Sequence, residues 1–242
     1  MQDKVIILGA GLPEGVGGAL ARRFAREDLH VFVSGRTLEK VEQTAAQITA
    51  SGGSAEAIEA DVTSEDDLDA LFSKAGEREG ALAAVIYNAG NNMPIPFADL
   101  SPEQFEFYWR VGCYGGFLTA KRAMPILEAQ GEGSMLFTGA SASLRGKPMF
   151  GHFAAAKAAL RNLAQSLARE YGPKGVHVAH IIIDGVVNGD RAQTNFGDYL
   201  DNLGPDGALD PDAIADAYWT IHAQQRSAWT HELDLRPFSE TW

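Results

Sequence analysis

The sequence predicts an α/β protein: a doubly wound parallel sheet of about seven strands, helices on both faces, and a single domain over 1–242. Three observations carry that expectation. Val5-Ile6-Ile7-Leu8 is an aliphatic run without a polar break, the pattern of a strand buried on both faces. A glycine-rich turn follows at once, after which Leu20 and Phe24 recur at helical spacing. The alternation of apolar strand and amphipathic helix then repeats along the chain, as a parallel sheet with crossover helices requires.

Taken in order, the residues justify each element. After the first helix, His30 to Gly35 reads as a second strand, and Thr37 is placed to cap a helix running to about Ala50, which Gly52-Gly53 ends. Ala55 to Ala60 is a third strand, and Ser64 followed by Asp67 opens a helix through Leu68, Leu71 and Phe72. Leu82 to Tyr87 is a fourth strand, leading into Asn88-Ala89-Gly90. Ser101-Pro102-Glu103-Gln104 combines a capping serine, a first-turn proline and a capping-box glutamine; its helix is expected to reach about Gln130, bent near Pro125. Ser134 to Thr138 is strand five, Gly151 to Tyr171 an alanine-rich helix stopped by Gly172-Pro173, and Val176 to Ile183 strand six. Gly189 to Leu209 is polar and weakly periodic, and is expected to be a mobile loop over a site. Asp210-Pro211 caps a helix to about Gln224, and Trp229 to Leu235 is a final strand. The aromatic-bearing tail 229–242 is expected to dock on the core or on a neighbouring subunit.

Composition narrows the function classes. With 45% hydrophobic residues the chain can bury one sizeable core. Its net charge of −12 disfavours a nucleic-acid or anionic-membrane partner. Cys113 is the single cysteine, so no intrachain disulfide forms, which suits a reducing compartment. The chain enters a strand within a few residues, leaving no room for a signal peptide, and no apolar run approaches bilayer-spanning length. A cytoplasmic protein without a metal site is expected.

The glycine turn carries the clearest chemistry. Gly9, Gly11, Gly15 and Gly17 stand between a strand and a helix, where bare backbone can approach a pyrophosphate and the helix N-terminus stabilises its charge. Together with Asp61-Val62, Asn88-Ala89-Gly90, Ala154-Ala155-Ala156-Lys157-Ala158 and Asp184-Gly185, this order of motifs resembles the short-chain dehydrogenase/reductase family over essentially the whole chain. The resemblance implies a Rossmann-like fold and NAD(P)-dependent oxidoreductase activity. It places Asp61 and Val62 at the adenine, Asn88, Ala89 and Gly90 beside the adenine ribose, and Val187 near the nicotinamide carboxamide. It also implies a homodimer or homotetramer, paired through the helices around 101–130 and 151–171. Five residues separate Gly9 from Gly15 where most members have three, which shifts the backbone near the diphosphate. Arg36, at the end of strand two, suits the 2′-phosphate of NADP; Glu14 argues the other way, and NADP is expected over NAD.

The catalytic positions depart from the family pattern. A tyrosine acid/base followed four residues later by a lysine reads Phe153 and Lys157 here. Ala140 stands where the family has its substrate-polarising serine, with Ser141 and Ser143 as neighbouring substitutes, and Gly112 stands for the asparagine of the proton relay. Lys157 and Ser141 are therefore the candidate catalytic residues, and Lys157 is also a coenzyme ligand. His152 and Tyr114 are substitute acids on paper only, since neither shares the helical face of Phe153. The alternative implied by these losses is a catalytically silent dinucleotide-binding protein acting as a sensor or partner subunit.

Overall fold

The computed structural model describes residues 2–90 and 92–241, with the side chain of Phe196 excepted. Apolar runs form the sheet's central strands: β1 (Lys4–Leu8), β2 (His30–Gly35), β4 (Leu82–Tyr87), β5 (Ser134–Thr138) and β6 (His177–Ile183) are almost wholly buried. The edge strands β3 (Ser54–Glu59) and β7 (Glu232–Leu235) are only partly buried, as position demands. All seven pair in parallel in the order β3-β2-β1-β4-β5-β6-β7. The order reverses between β1 and β4, and the crevice beyond their carboxyl ends is where such sheets bind ligands.

Helices cover both faces. On one lie α1 (Val16–Ala25), α2 (Leu38–Ala50) and α8 (Pro211–His222), packed over Val5, Ile7, Val31 and Ile181. On the other lie α3 (Glu65–Glu77), α5 (Gly115–Gln130) and α6 (Gly151–Tyr171), over Ile6, Leu8, Val85 and Phe137. Alternate residues of β1 thus serve opposite cores, which fixes its register. Ser64 and Asp210 cap their helices through their side chains, and Ser101 completes a capping box at α4 (Pro102–Trp109). Thr37 stands at the start of α2 but makes no side-chain capping bond.

One expectation gains a detail and another is corrected. The helix from Ser101 does reach Gln130, but by way of a π-helical turn at Arg110–Tyr114 that joins α4 to α5, and Pro125 lies inside α5. The extra residue of a π turn disturbs the carbonyl ladder, and Tyr87 Oη donates to Val111 O at 2.5 Å, using one carbonyl from inside the sheet. The segment read as a mobile loop contains a helix, α7 (Asp190–Leu203). Its apolar residues Ala192, Phe196, Leu200 and Leu203 do recur at helical spacing, but Gly197 and the surrounding polar residues dilute the pattern.

The C-terminal segment packs on its own chain. Trp229 stacks on His177 with ring centroids 4.7 Å apart, and Pro237 lies against Gly185, whereas Phe238 is 83% exposed. Trp242 lies outside the described residues. Among the described residues no helix is long and apolar enough to cross a membrane.

Candidate functional site

The crevice at the β1/β4 switch point gathers most of the residues singled out by sequence. Gly9 ends β1 with φ +80°, and a β-carbon there would overlap the Ala89 backbone, so the two loops touch main chain to main chain. A β-carbon on Gly17 would stand 2.6 Å from Ala10 Cα, which brings α1 hard against the strand exit. Gly11 faces open space, and Gly15 is the extended residue at the mouth of α1 with no side-chain cap. The two extra loop residues are held in place: Pro13 is buried and its carbonyl accepts from the Arg22 guanidinium, which also pairs with Asp212 at 2.7 Å. The longer loop is thus a fixed feature, and it leaves open space at Gly11 where an anion can approach, while Asp190 Oδ1 lies beside Gly15.

At the far end of the crevice, Arg36 and Asp61 share an open cavity of about 560 Å³ with Glu59, Asp66, Asp67 and Ala70. The Asp61 carboxylate is already engaged, accepting from Thr63 N and Oγ1 at 2.8 Å each. Val62 beside it is buried under Gly115.

The carboxyl ends of the central strands are tied by a polar chain that includes residues not foreseen from sequence. Asn88 Nδ2 donates to Gly9 O at 3.0 Å, Thr138 Oγ1 to Asn88 Oδ1 at 3.0 Å, and Thr138 Oγ1 meets Tyr218 Oη at 2.7 Å. Lys157 Nζ donates to Thr138 O at 2.7 Å. Thr138 thereby links β1, β4, β5, α6 and α8. Its only sequence signal is a hydroxyl at the end of an otherwise apolar strand.

Lys157 is 3% exposed, and burial pushes its ammonium down to about 8. A β-carbon on Gly90 would lie 3.2 Å from Nζ, so the two predicted residues are adjacent. The Phe153 ring centroid is 5.9 Å from Nζ. The ring sits over the ammonium on one helix face and presents carbon where a phenol would present oxygen. Ser143 Oγ donates to Ala140 O at 2.7 Å and is buried, while Ser141 begins a 3-10 turn packed against α6. A β-carbon on Gly112 would stand 2.6 Å from Ala156 Cβ; α6 has closed over the space an asparagine side chain would need. His152 is fully buried with its ring 4.3 Å from Tyr108, while Tyr114 stacks between Trp109 and Phe117. Burial raises the Cys113 thiol, so it is a poor nucleophile.

Val187 forms a parallel bridge with Leu209. This anchors the base of the α7 segment beside the end of β6, where Asp184 accepts Arg145 Nη2 at 3.0 Å on both oxygens.

A family model described as short chain dehydrogenase matches residues 3–198. The chain belongs to that family. This short-chain dehydrogenase is 34% identical over 164 residues to an oxidoreductase of Sarocladium schorii, covering 68% of this chain and 65% of the relative, so it spans just under two thirds of that protein's length. A crystal structure of a short-chain dehydrogenase from Rhodopseudomonas palustris matches with a TM-score of 0.83 at 34% identity, over 98% of this chain and 100% of the other. A metagenomic short-chain oxidoreductase solved in complex with NADP has the same fold, with a TM-score of 0.83 at 22% identity and 98% of each chain covered.

Proposed function

We propose that this short-chain dehydrogenase binds a nicotinamide dinucleotide, NADP in preference to NAD, and exchanges hydride slowly with a carbonyl or alcohol substrate. The observation that carries the reading is the backbone cradle at Gly9, Gly11, Gly15 and Gly17, where added β-carbons meet main chain at Gly9 and Gly17 and open space at Gly11. When bound, the coenzyme supplies or accepts the hydride. The chain's own residues do the rest. The unsatisfied N–H groups at the start of α1 hold the diphosphate. Asp61 and Val62 flank the adenine, and Asn88, Ala89 and Gly90 line its ribose. Arg36 gives the 2′-phosphate a guanidinium, though among neighbouring carboxylates. Val187 lies by the carboxamide, and Lys157 Nζ reaches the nicotinamide ribose.

The proton is the weak point. Phe153 carries none, Ala140 cannot polarise the substrate oxygen, and Gly112 leaves no relay. Ser141 Oγ is the hydroxyl assigned to the substrate oxygen, and Lys157 Nζ, held near 8, is the titratable group assigned to the proton. Missing acid–base assistance typically lowers a rate by about 10²–10⁴-fold. The aromatic side chains Phe105, Phe107 and Phe117, each about 40% exposed, support a homodimer or homotetramer through α4 and α5.

The test is turnover of NADPH against a panel of carbonyls, comparing the protein with its Phe153→Tyr variant. Slow native turnover that rises at least tenfold with the phenol is the expected result. No turnover in either protein, with coenzyme bound, would favour a silent binding protein instead.

A further inference from the structure

We propose that Asp190 sets coenzyme affinity by holding its carboxylate on the diphosphate seat, so that the N-terminus of α7 must lift before the dinucleotide engages fully. The inference rests on the dinucleotide reading above and adds to it a residue of this chain that competes for the site. A β-carbon built on Gly15 would lie 3.3 Å from Asp190 Oδ1. A β-carbon on Gly189 would lie 3.3 Å from Glu14 O and 3.6 Å from Gly15 Cα. The first turn of α7 therefore rests directly on the mouth of α1. Asp190 is the first residue of α7, and its carboxylate stands beside Gly15, the residue that leads into α1. That is the environment a phosphate would receive, and a carboxylate is the side-chain group that best imitates it.

The same segment is built to swing. Its base is a short ladder, with Asn188 N donating to Leu209 O and Leu209 N to Val186 O, each at 2.8 Å. Its first turn is tied across the crevice by a polar contact from the Arg191 guanidinium to Asn92 O. No described side chain of α7 is fully buried. Lifting the segment exposes little apolar surface, which places it at the low-stability end of the fold. Glu14, exposed one residue before Gly15, adds a second negative charge at the same place. An anionic ligand thus meets repulsion at the one point where the fold offers it hydrogen bonds. Like charges in close approach at a half-solvated site correspond to roughly tenfold or more in affinity.

The experiment is calorimetric titration of the full chain, and of its Asp190→Asn and Asp198→Asn variants, with NADP, NAD, ADP and adenosine. Asp190→Asn keeps the shape and removes the charge; Asp198 lies on the same helix and serves as the control. Asp190→Asn is expected to tighten NADP, NAD and ADP about tenfold, with the gain shrinking at about 0.5 M salt, while adenosine is unchanged. Asp198→Asn is expected to match the parent protein. Equal or weaker binding by Asp190→Asn, with the parent protein still binding NADP, overturns the role of Asp190 and leaves the dinucleotide reading standing. No binding of NADP or NAD by any of the three proteins overturns both.

Discussion

Replacing Gly112 with alanine sets two effects of opposite sign against each other. On propensity alone, alanine in a helical turn gains about 1 kcal/mol over glycine. The structure gives the opposing term: the new β-carbon would stand 2.6 Å from Ala156 Cβ, whereas methyl carbons pack at about 3.5–4 Å. Both atoms hang directly on backbone, so no rotamer change relieves the overlap, and the π turn or α6 must move by about 1 Å. Overpacking of this kind costs about 1–3 kcal/mol, and the rigid attachment points to the upper half of that range. The net expectation is a loss of about 1–2 kcal/mol, a fall in Tm of roughly 2–8 °C for a chain of this size. Urea and thermal melts of Gly112→Ala, Ala156→Gly and the double variant supply the cycle. The double variant should recover most of the loss, with a coupling of about 2 kcal/mol between the sites. Gly112→Ala as stable as the parent protein would show that α6 yields freely and that the relay position was not closed by packing. The consequence for engineering follows: a family-like asparagine at 112 needs Ala156 reduced to glycine first.

Acid should destabilise the fold through buried histidines. Burial holds His180 and His222 near 4, below their ordinary 6.5. Above pH 6.5 the rings are neutral in folded and unfolded chains alike; between 6.5 and 4 the unfolded chain takes up protons that the native fold refuses, so stability falls. At pH 5 the loss is about 2 kcal/mol per histidine, and His222→Gln, which can still bond Ser134, should flatten the slope of urea midpoint against pH. Lys157 behaves in the same sense at higher pH: its burial penalty is present in full below pH 8 and fades as pH rises toward 10.5. Lys157→Met at pH 7 should therefore raise stability by about 1–2 kcal/mol, allowing for the lost bond to Thr138 O, while weakening coenzyme binding; a lower melting temperature would contradict this.

The strand-and-helix frame was legible because the sheet is parallel and doubly covered, which forces long apolar runs such as Val5-Ile6-Ile7-Leu8 to announce themselves. Helix starts at Ser64, Ser101 and Asp210 were legible because a cap is a local chemical pattern, and each side chain makes the bond expected of it. Thr37 shows the limit of that logic, since a capping residue type occupies the position without making the bond. The π turn at Arg110–Tyr114 left no local signature, because it is supported from a distance by Tyr87 Oη on Val111 O. Helix α7 was hidden because it buries so little that selection for an apolar face is weak. At the site, Phe153 and Lys157 could be read from helical spacing. Thr138 and Asp190 could not, for each matters through a partner far away in sequence: Asn88, Tyr218 and Lys157 for the first, Gly15 for the second.

The account stands on the claim that the first crossover still grips a dinucleotide although the proton-donating ring has lost its hydroxyl. The most direct measurement is calorimetric titration of the unaltered protein with NADP and, separately, NAD. The prediction is one site per chain, saturating well below millimolar for NADP and more weakly for NAD. Absence of heat and of any shift in melting temperature at millimolar concentrations of both would contradict it.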